Sequence, residues 1–375
     1  MQDFLLFDGG PFLERWSLGR RIAIAVLITW VPLVALAAIQ GRALGPSPQE
    51  SVLMDVATYA RFLVTLPLLI LTPAVVRPRL RMIVQHLLEA GLVKHSEREG
   101  FLATMVSTIR LRDSRVAALV LLAFAYASAV SFGILIGAQL PASWRTVGAE
   151  GNRSLSAAGW WLLTVSHPAY VFLLLQFLYR VALWWRFLWM TSRLDLQLHA
   201  AHPDGAGGLA CLGMALPPFG VPAFAIGSLM AGGLADLVMW AGVSILAHTY
   251  VIGAFVIVVV AVFTGPLLFF LGKLGETKQR GMLSYGALSG DQLRQFEQKW
   301  LRTRSREDDS LGATDFSAVI DLTATVSGVH RMRAFPFELT ELLPLAVGAL
   351  VPFVLVAGLE IPLKDILVQL LKMVM

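Results

Sequence analysis

Cysteine and charge are both scarce in this chain, and each shortage excludes a class of protein. One cysteine, Cys211, among 375 residues rules out an intramolecular disulfide framework and any metal site built from several cysteines. We expect Cys211 to be a small buried apolar residue rather than a reactive thiol. Only 15% of the residues are charged, against about 25% in an average soluble domain, so a single soluble core of this length is excluded.

Patterns of known catalytic chemistry are missing as well. Gly227-Ser228 and His248 invite comparison with an intramembrane serine protease, but about 20 residues of helix would separate the serine and histidine by roughly 30 Å, too far for a dyad. No aspartate pattern like that of CDP-alcohol transferases or prenyltransferases occurs. No internal repeat of roughly 20–50 residues marks an inverted-repeat transporter. We therefore lean against an enzyme and expect no cofactor.

Long apolar runs fill most of the sequence. The chain is 57% hydrophobic, with a mean hydropathy of +0.70, and about 20 apolar residues are enough to cross a bilayer as a helix. This predicts an all-α polytopic membrane protein of about seven transmembrane helices, with cytoplasmic helices and a C-terminal amphipathic helix. The predicted spans are 22–40, 56–76, 116–140, one that starts at 160, 223–246, 250–271 and 342–357.

The chain divides at its polar segments into four parts. We expect an N-terminal membrane half with cytoplasmic helices at 82–115, a central half whose loop is 191–222, a cytoplasmic helical segment, and a seventh span with an amphipathic tail. Their bounds are 1–140, 141–273, 274–337 and 338–375. Residues 160–209 divide the chain into its two membrane halves, because we expect them to form one long helix that leaves the membrane and ends in a polar loop.

The basic residues indicate the orientation. The chain has a formal net charge of +5, and most of its basic residues lie in segments on one side of the bilayer. This positive-inside pattern predicts a cytoplasmic N-terminus. Arg61, near the outer end of the second span, can extend to the headgroups. We therefore expect the bilayer, and anionic headgroups among its lipids, as partners. Nucleic acid is excluded, and a homo-oligomer stays open.

Two capping boxes predict helix starts in the polar segments. Ser96-Glu-Arg-Glu99 and Ser289-Gly-Asp-Gln292 each place a serine and a longer polar side chain where both can bind free backbone N–H groups. The second would open a basic amphipathic helix with Phe296 and Trp300 on its apolar face. Its basic residues face solvent or headgroups, or bind an acidic lipid or protein partner.

A polar loop with the sequence HAAHPDGAGGL follows the long helix. Its candidate contact residues are His199, His202, Asp204, Gly205, Gly207 and Gly208. The histidines and the aspartate are of types that bind transition metals, whereas the glycines could cradle an anion. A helix stop and turn is the interpretation we favour, because Pro203 disfavours helical geometry in the residue before it. We assign no metal.

Ionisable residues inside apolar runs are the better indicators of function, since burying them costs ~2.5–3.5 kcal/mol on insertion scales. Asp236 is expected roughly 15 Å below the outer end of span five, and His167 roughly 10 Å deep on the long helix. His248 would lie at the mouth above them. A histidine–aspartate pair at this depth could relay protons or bind a cation. A helix–helix hydrogen bond is the alternative.

One resemblance is carried by the loop. Residues 193–199 (RLDLQLH) followed by 202–209 (HPDGAGGL) resemble a loop of uncharacterised bacterial inner-membrane proteins, which also have a long preceding span and a similar amphipathic tail. The resemblance implies a bacterial inner-membrane origin and no particular activity. Together these features predict a channel- or transporter-like protein for a small ion. The alternative is a non-catalytic membrane sensor or scaffold that binds a partner or anionic lipid through its basic cytoplasmic helices.

Overall fold

The computed structural model describes residues 16–139, 142–148, 153–302 and 314–360. These residues are almost entirely helical, and seven helical tracts are long and apolar enough to cross a membrane, which confirms an all-α polytopic fold. The spans, numbered one to seven, are Leu18–Ile39, Val56–Glu89, Arg115–Ile134, Ala157–Ser192, Ala210–Ala241, Ile245–Leu301 and Leu339–Glu360.

Most spans contain more than one helical segment. The α-helices are α1 (Leu18–Thr29), α2 (Val31–Ile39), α3 (Val56–Tyr59), α4 (Leu66–Glu89), α5 (Arg98–Arg112), α6 (Arg115–Gln139), α7 (Ala157–Trp161), α8 (His167–Ser192), α9 (Gly220–Ala241), α10 (Thr249–Thr264), α11 (Leu271–Glu297), α12 (Thr314–His330) and α13 (Leu339–Glu360). Single π-helical turns are Ala60–Thr65, Leu162–Ser166 and Gln298–Arg302. The 3₁₀ turns are Pro48–Glu50, Val52–Met54, His95–Glu97, Ala210–Ala215, Pro217–Phe219, Ile245–His248 and Gly265–Phe270.

The loops form two opposite ends of the bundle. We name the end with residues 40–55, 142–148, 153–156 and 242–248 the Asp55 face, and the end with residues 90–97, 193–209 and 331–338 the Asp204 face. A two-stranded antiparallel ribbon, β1 (Thr146–Val147) with β2 (Ser154–Leu155), lies on the Asp55 face. On the Asp204 face the chain after α4 pairs with the chain after α8 through a bridge between Val93 and Leu196.

Span one is interrupted at a proline, and side chains of span four donate hydrogen bonds to the backbone carbonyls left unpaired there. Pro32 has no backbone N–H, so the carbonyl of Ile28 loses its normal partner in the helix. The indole N–H of Trp161 donates to that carbonyl at 3.1 Å. The Ser166 hydroxyl donates at 2.6 Å to the next carbonyl, that of Thr29. Both donors belong to the span that we expected to divide the chain into its two membrane halves.

Span six shows the same arrangement. Pro266 frees the carbonyl of Val262, and the indole N–H of Trp185 in α8 donates to it at 2.8 Å. The fit is close, because a Cβ at Gly265 would lie 2.6 Å from the Trp185 ring. Hydrocarbon offers no water to an unpaired carbonyl, so both tryptophans stabilise neighbouring spans through the backbone.

Three predictions about helix ends are wrong. Span five ends at Ala241 rather than near residue 246, because Gly242 adopts a left-handed conformation with φ +65° and ends α9. The Ser289 capping box opens no helix, since it lies inside α11, which runs without interruption across the predicted boundary at 273 and 274. The Ser96 box also forms no cap: α5 begins at Arg98 without a side-chain cap. The predicted C-terminal amphipathic helix lies at 361–375, outside the described residues.

The proline–tryptophan pairing predicts a measurable coupling. We expect Trp185→Phe to lower the free energy of unfolding by about 0.6–1.7 kcal/mol, the range found for side-chain hydrogen bonds in membrane proteins. The loss should shrink in a Pro266→Ala background, where residue 266 supplies its own N–H. Unfolding of the four proteins in detergent micelles completes the double-mutant cycle.

A matched control is Trp160→Phe, which changes a tryptophan that is 58% exposed. Its effect should stay within about 0.5 kcal/mol, as for most surface substitutions. An equal loss from Trp185→Phe in both backgrounds would show that ring packing, and not the hydrogen bond to Val262, stabilises span six.

Candidate functional site

A buried ion pair lies where span two begins on the Asp55 face. Asp55 is 8% exposed, and its carboxylate accepts the backbone N–H of Thr58 at 2.8 Å, so it caps α3. The same carboxylate accepts the indole N–H of Trp144 at 2.8 Å and pairs with the guanidinium of Arg145 at 2.7 Å. Burial raises the pKa of Asp55, but Arg145 and the two hydrogen bonds outweigh burial and leave this pKa below its ordinary value.

Asp236 reaches the same helix start from span five. Its two oxygens accept the backbone N–H groups of Val56 at 2.9 Å and of Ala57 at 3.1 Å. Because α9 ends at Ala241, Asp236 lies five residues, or roughly 7.5 Å, from the end of its helix. The expected depth of 15 Å was wrong, since it assumed five more helical residues. Asp236 therefore acts as a helix cap supplied by a neighbouring span.

His167 lies deeper and has other partners. Its Nε2 is 3.1 Å from the Ser128 hydroxyl, and its ring stacks on Phe132 with centroids 5.1 Å apart. Ten residues separate it from the start of α7 at Ala157, which corresponds to roughly 15 Å. His167 bonds to span three, whereas Asp236 bonds to span two. The described contacts thus join neither side chain to the other, and the expected pair is replaced by two separate helix–helix contacts.

His248 lies near the start of span six, on the Asp55 face. Its Nδ1 is 3.2 Å from the carbonyl of Ser244, within the 3₁₀ turn that precedes α10. The histidine lines a cavity of about 480 Å³ whose walls come from α9, α10 and α13. Neither His167 nor Asp236 lines this cavity.

The cavity has one strong cation, Arg61, whose role we did not predict. It lies in the π-helical turn of span two, five residues or roughly 7.5 Å inside Val56. Its guanidinium carbon is 5.9 Å from the centroid of the Tyr170 ring. Within the described part of the chain no acceptor forms a hydrogen bond with this guanidinium. An arginine inside an apolar run was the available signal, but we interpreted it as extending to the headgroups.

Two unpaired polar atoms lie on the helix face that Arg61 contacts. The Tyr170 hydroxyl and His167 Nδ1 are buried and have no hydrogen-bond partner among the described residues. Tyr170 contacts the Arg61 guanidinium through its ring, and His167 lies three residues before Tyr170 along the same helical tract, so the two share a helix face. About 90% or more of buried polar groups in proteins are bonded, so a group of unpaired ones beside a cation indicates a place for a polar ligand.

The loop on the Asp204 face is closed by its own aspartate. Asp204 accepts the backbone N–H groups of Ala206 at 2.8 Å, Gly208 at 3.1 Å and Ala210 at 3.0 Å. Burial raises the pKa of Asp204, but these hydrogen bonds outweigh burial and hold it below its ordinary value. The N–H groups that could have cradled an external anion are therefore bonded to a carboxylate.

The other loop residues support the same turn. Gly208 has φ +100°, and a Cβ there would lie 2.4 Å from the Leu92 side chain. Gly205 and Gly207 also have positive φ angles. His202 Nδ1 lies 2.8 Å from an Asp204 oxygen, whereas His199 is exposed and its backbone N–H donates to the Gly207 carbonyl at 3.3 Å.

The loop is also tied to the segment before span seven. Arg333 donates to the Asp204 carbonyl at 2.8 Å from its side chain and to the Gly205 carbonyl at 2.7 Å from its backbone. Cys211 is half-buried, with its sulfur 3.8 Å from the Gly208 carbonyl. Among residues 16–139, 142–148, 153–302 and 314–360, no group of three or more His, Cys, Asp or Glu side chains is arranged to hold a metal ion.

Comparison with known proteins finds no match for this chain. No protein-family model, no curated protein and no solved structure matches this chain. The likeness of the 193–209 loop to bacterial inner-membrane proteins stays a prediction. Any inference about function therefore depends on the geometry of the side chains described above.

The closed loop predicts a pH-dependent stability. We expect Asp204→Asn to lower the free energy of unfolding by about 1–3 kcal/mol, because one backbone N–H loses its acceptor. The folded-state pKa lies below the ordinary 3.8, so this contribution is complete above pH 3.8 and is lost as the pH falls through the folded pKa. Thermal unfolding of wild type and variant from neutral to acid pH measures the difference.

Asp195→Asn is the matched control on the same face. Asp195 is an exposed residue that pairs with Lys94 at the surface, and such pairs contribute little in water. A comparable loss of stability in both variants would contradict the assignment of a special role to Asp204. So would a difference for Asp204→Asn that persists unchanged well below pH 3.8.

Proposed function

We propose that this integral membrane protein is a transporter-like protein for a small anion, which it recognises through Arg61. The observation that carries the proposal is the guanidinium itself. It lies inside an apolar span, lines a cavity of about 480 Å³, and has no hydrogen-bond acceptor within the described chain. A charged residue at membrane depth is costly, so one without a hydrogen-bond acceptor favours a ligand of opposite charge.

The carboxylates near Arg61 support an anion rather than a cation. Both oxygens of Asp236 accept backbone N–H groups, and Asp55 is paired with Arg145. Both carboxylates are therefore already engaged by donors of the protein, which leaves them less capacity to bind a metal ion. The proton or cation path through His167 and Asp236 is the weaker alternative.

The depth of the unpaired atoms supports transport rather than binding at the surface alone. One of them, on His167, lies roughly 15 Å along span four from Ala157, and the other, on Tyr170 beside Arg61, lies about one turn deeper. A depth of roughly 15 Å is about half of a hydrocarbon core of roughly 30 Å. Substrate sites of secondary transporters lie near the midplane of the bilayer. An anion held between Arg61 and Tyr170 would reach that depth.

The proposed setting is a bacterial inner membrane with the Asp204 face in the cytoplasm. Clusters of basic residues flank the spans at that face, including Arg79, Arg81, Arg98, Arg110 and Arg112. Such an excess of arginine and lysine marks the cytoplasmic side. This orientation places the N-terminus inside and the cavity at Arg61 in the outer leaflet.

Flux into proteoliposomes tests the proposal. We expect the purified wild type to move at least one of chloride, acetate and phosphate down an applied gradient. Arg61→Gln should reduce that flux roughly tenfold or more, equivalent to ~1.4 kcal/mol of lost recognition. Arg61→Lys should retain part of it, because the charge remains while the planar fork of donors is lost.

The control is Arg79→Gln, an exposed arginine on the same span, which should leave flux unchanged. Size-exclusion profiles of all variants establish that each protein is folded. Cation or proton flux that survives Arg61→Gln but disappears in His167→Ala/Asp236→Asn would replace this proposal with a path through those two residues.

A sensor or scaffold is the second candidate, and the basic end of span six favours it. Phe296 and Trp300 are covered by Phe316 of α12, with ring centroids 4.8 and 5.1 Å away. The apolar face of this helix is thus occupied within the chain, while Arg294 remains 71% exposed. A basic surface of this kind suits an acidic protein or anionic lipid.

Affinity capture distinguishes this candidate. We expect an acidic partner, if this is the function, to be lost when Arg294, Lys299 and Arg302 are changed to glutamine together, while anion flux stays at zero in wild type and variant. Arg79→Gln again serves as the control. Flux that depends on Arg61 with no captured partner would argue against the scaffold.

A further inference from the structure

A second cavity opens at the other end of the bundle and is lined by two arginines. Its volume is about 370 Å³, and it lies between α1, α4 and α8. Arg21 of α1, together with Gln176 and Arg180 of α8, forms its polar part. Arg180 is 8% exposed, and Nε of Arg21 is buried without a hydrogen-bond partner among the described residues.

The polar and apolar linings are separated along the membrane normal. Arg21 lies in the first turn of span one, and Ile24, one turn further along α1, lies deeper. On α8, which runs in the opposite sense to α1, Leu173 is deep and Arg180 is nearer the Asp204 face. Leu69 of α4 completes the deep wall. The cavity is therefore basic towards the Asp204 face and apolar towards the middle of the bundle.

From this arrangement we infer that the cavity binds a membrane phospholipid with a net negative headgroup. Guanidinium groups donate several hydrogen bonds in a planar fork that matches phosphate oxygens. The Gln176 amide adds a further donor. The acyl chain then lies against the apolar inner wall.

The position of the cavity fits a lipid better than a free anion. Trp16, which is 48% exposed, borders the cavity, and tryptophan is enriched at the level of lipid headgroups. A hydrated phosphate would gain nothing from the apolar half of the cavity, whereas an acyl chain can fill it with apolar contacts. This site is separate from Arg61, because its residues lie towards the opposite face of the bundle.

The test compares lipids that differ in one feature. Purified protein in micelles is titrated with phosphatidylglycerol, with diacylglycerol, which has acyl chains but no phosphate, and with inorganic phosphate, and bound lipid is counted by native mass spectrometry. We expect wild type to retain phosphatidylglycerol at least tenfold better than diacylglycerol. Arg21→Gln/Arg180→Gln should abolish that preference, while Arg20→Gln, a change at the exposed neighbour of Arg21, should leave it unchanged.

A second variant keeps the test decisive if Arg180→Gln prevents folding. Ala25→Phe fills the apolar half of the cavity without changing any charge, and it should weaken phosphatidylglycerol binding while Arg61-dependent anion flux continues. Equal retention of phosphatidylglycerol and diacylglycerol by wild type would overturn the inference. Inorganic phosphate that competes fully with the lipid would overturn it in favour of a soluble anion.

Discussion

Every backbone carbonyl inside the bilayer needs a donor from the protein itself, and this requirement explains the central role of span four. Prolines at 32 and 266 deprive two neighbouring spans of a helix hydrogen bond. The indole N–H groups of Trp161 and Trp185 replace those bonds at Ile28 and Val262. A tryptophan in α7 and another in α8 thus hold spans one and six against span four. The aromatic residues of this region therefore satisfy backbone carbonyls in addition to lying at the membrane interface.

The same requirement accounts for the acidic residues at the start of span two. The first N–H groups of a helix have no partner within it, and here they begin at the membrane boundary. Asp55 satisfies one such group and Asp236, from span five, satisfies two more. Two carboxylates that look functional in the sequence are therefore largely engaged in structure. Arg145 neutralises Asp55, so the free guanidinium of Arg61 is left as the group with unused binding capacity.

The sequence was sufficient for the parts of the fold that depend on composition. Apolar runs located seven spans, because burying a backbone in hydrocarbon demands continuous apolar helix. The depth of Asp236 could not be predicted, since it depends on the left-handed turn at Gly242 rather than on hydropathy. Ser289 has a good capping sequence, yet the helix passes through it, because α12 packs along α11 and favours its continuation. For the site, the role proposed for Arg61 could not be predicted from the sequence, because it depends on which neighbouring side chains the arginine contacts.

What separates a structural arginine from a binding one in this protein is the acceptor each finds within the chain. Arg186 donates to the hydroxyls of Ser107 and Thr108, and Arg145 pairs with Asp55, so each is accounted for by packing between elements. Arg61 faces a cavity and an aromatic ring, and its cation–π contact with that ring is weaker than a hydrogen bond to a charged acceptor would be. Asp55 and Asp236 act on Arg61 through space without bonding to it, so a hydrogen-bonded anionic acceptor is what the proposed ligand would add.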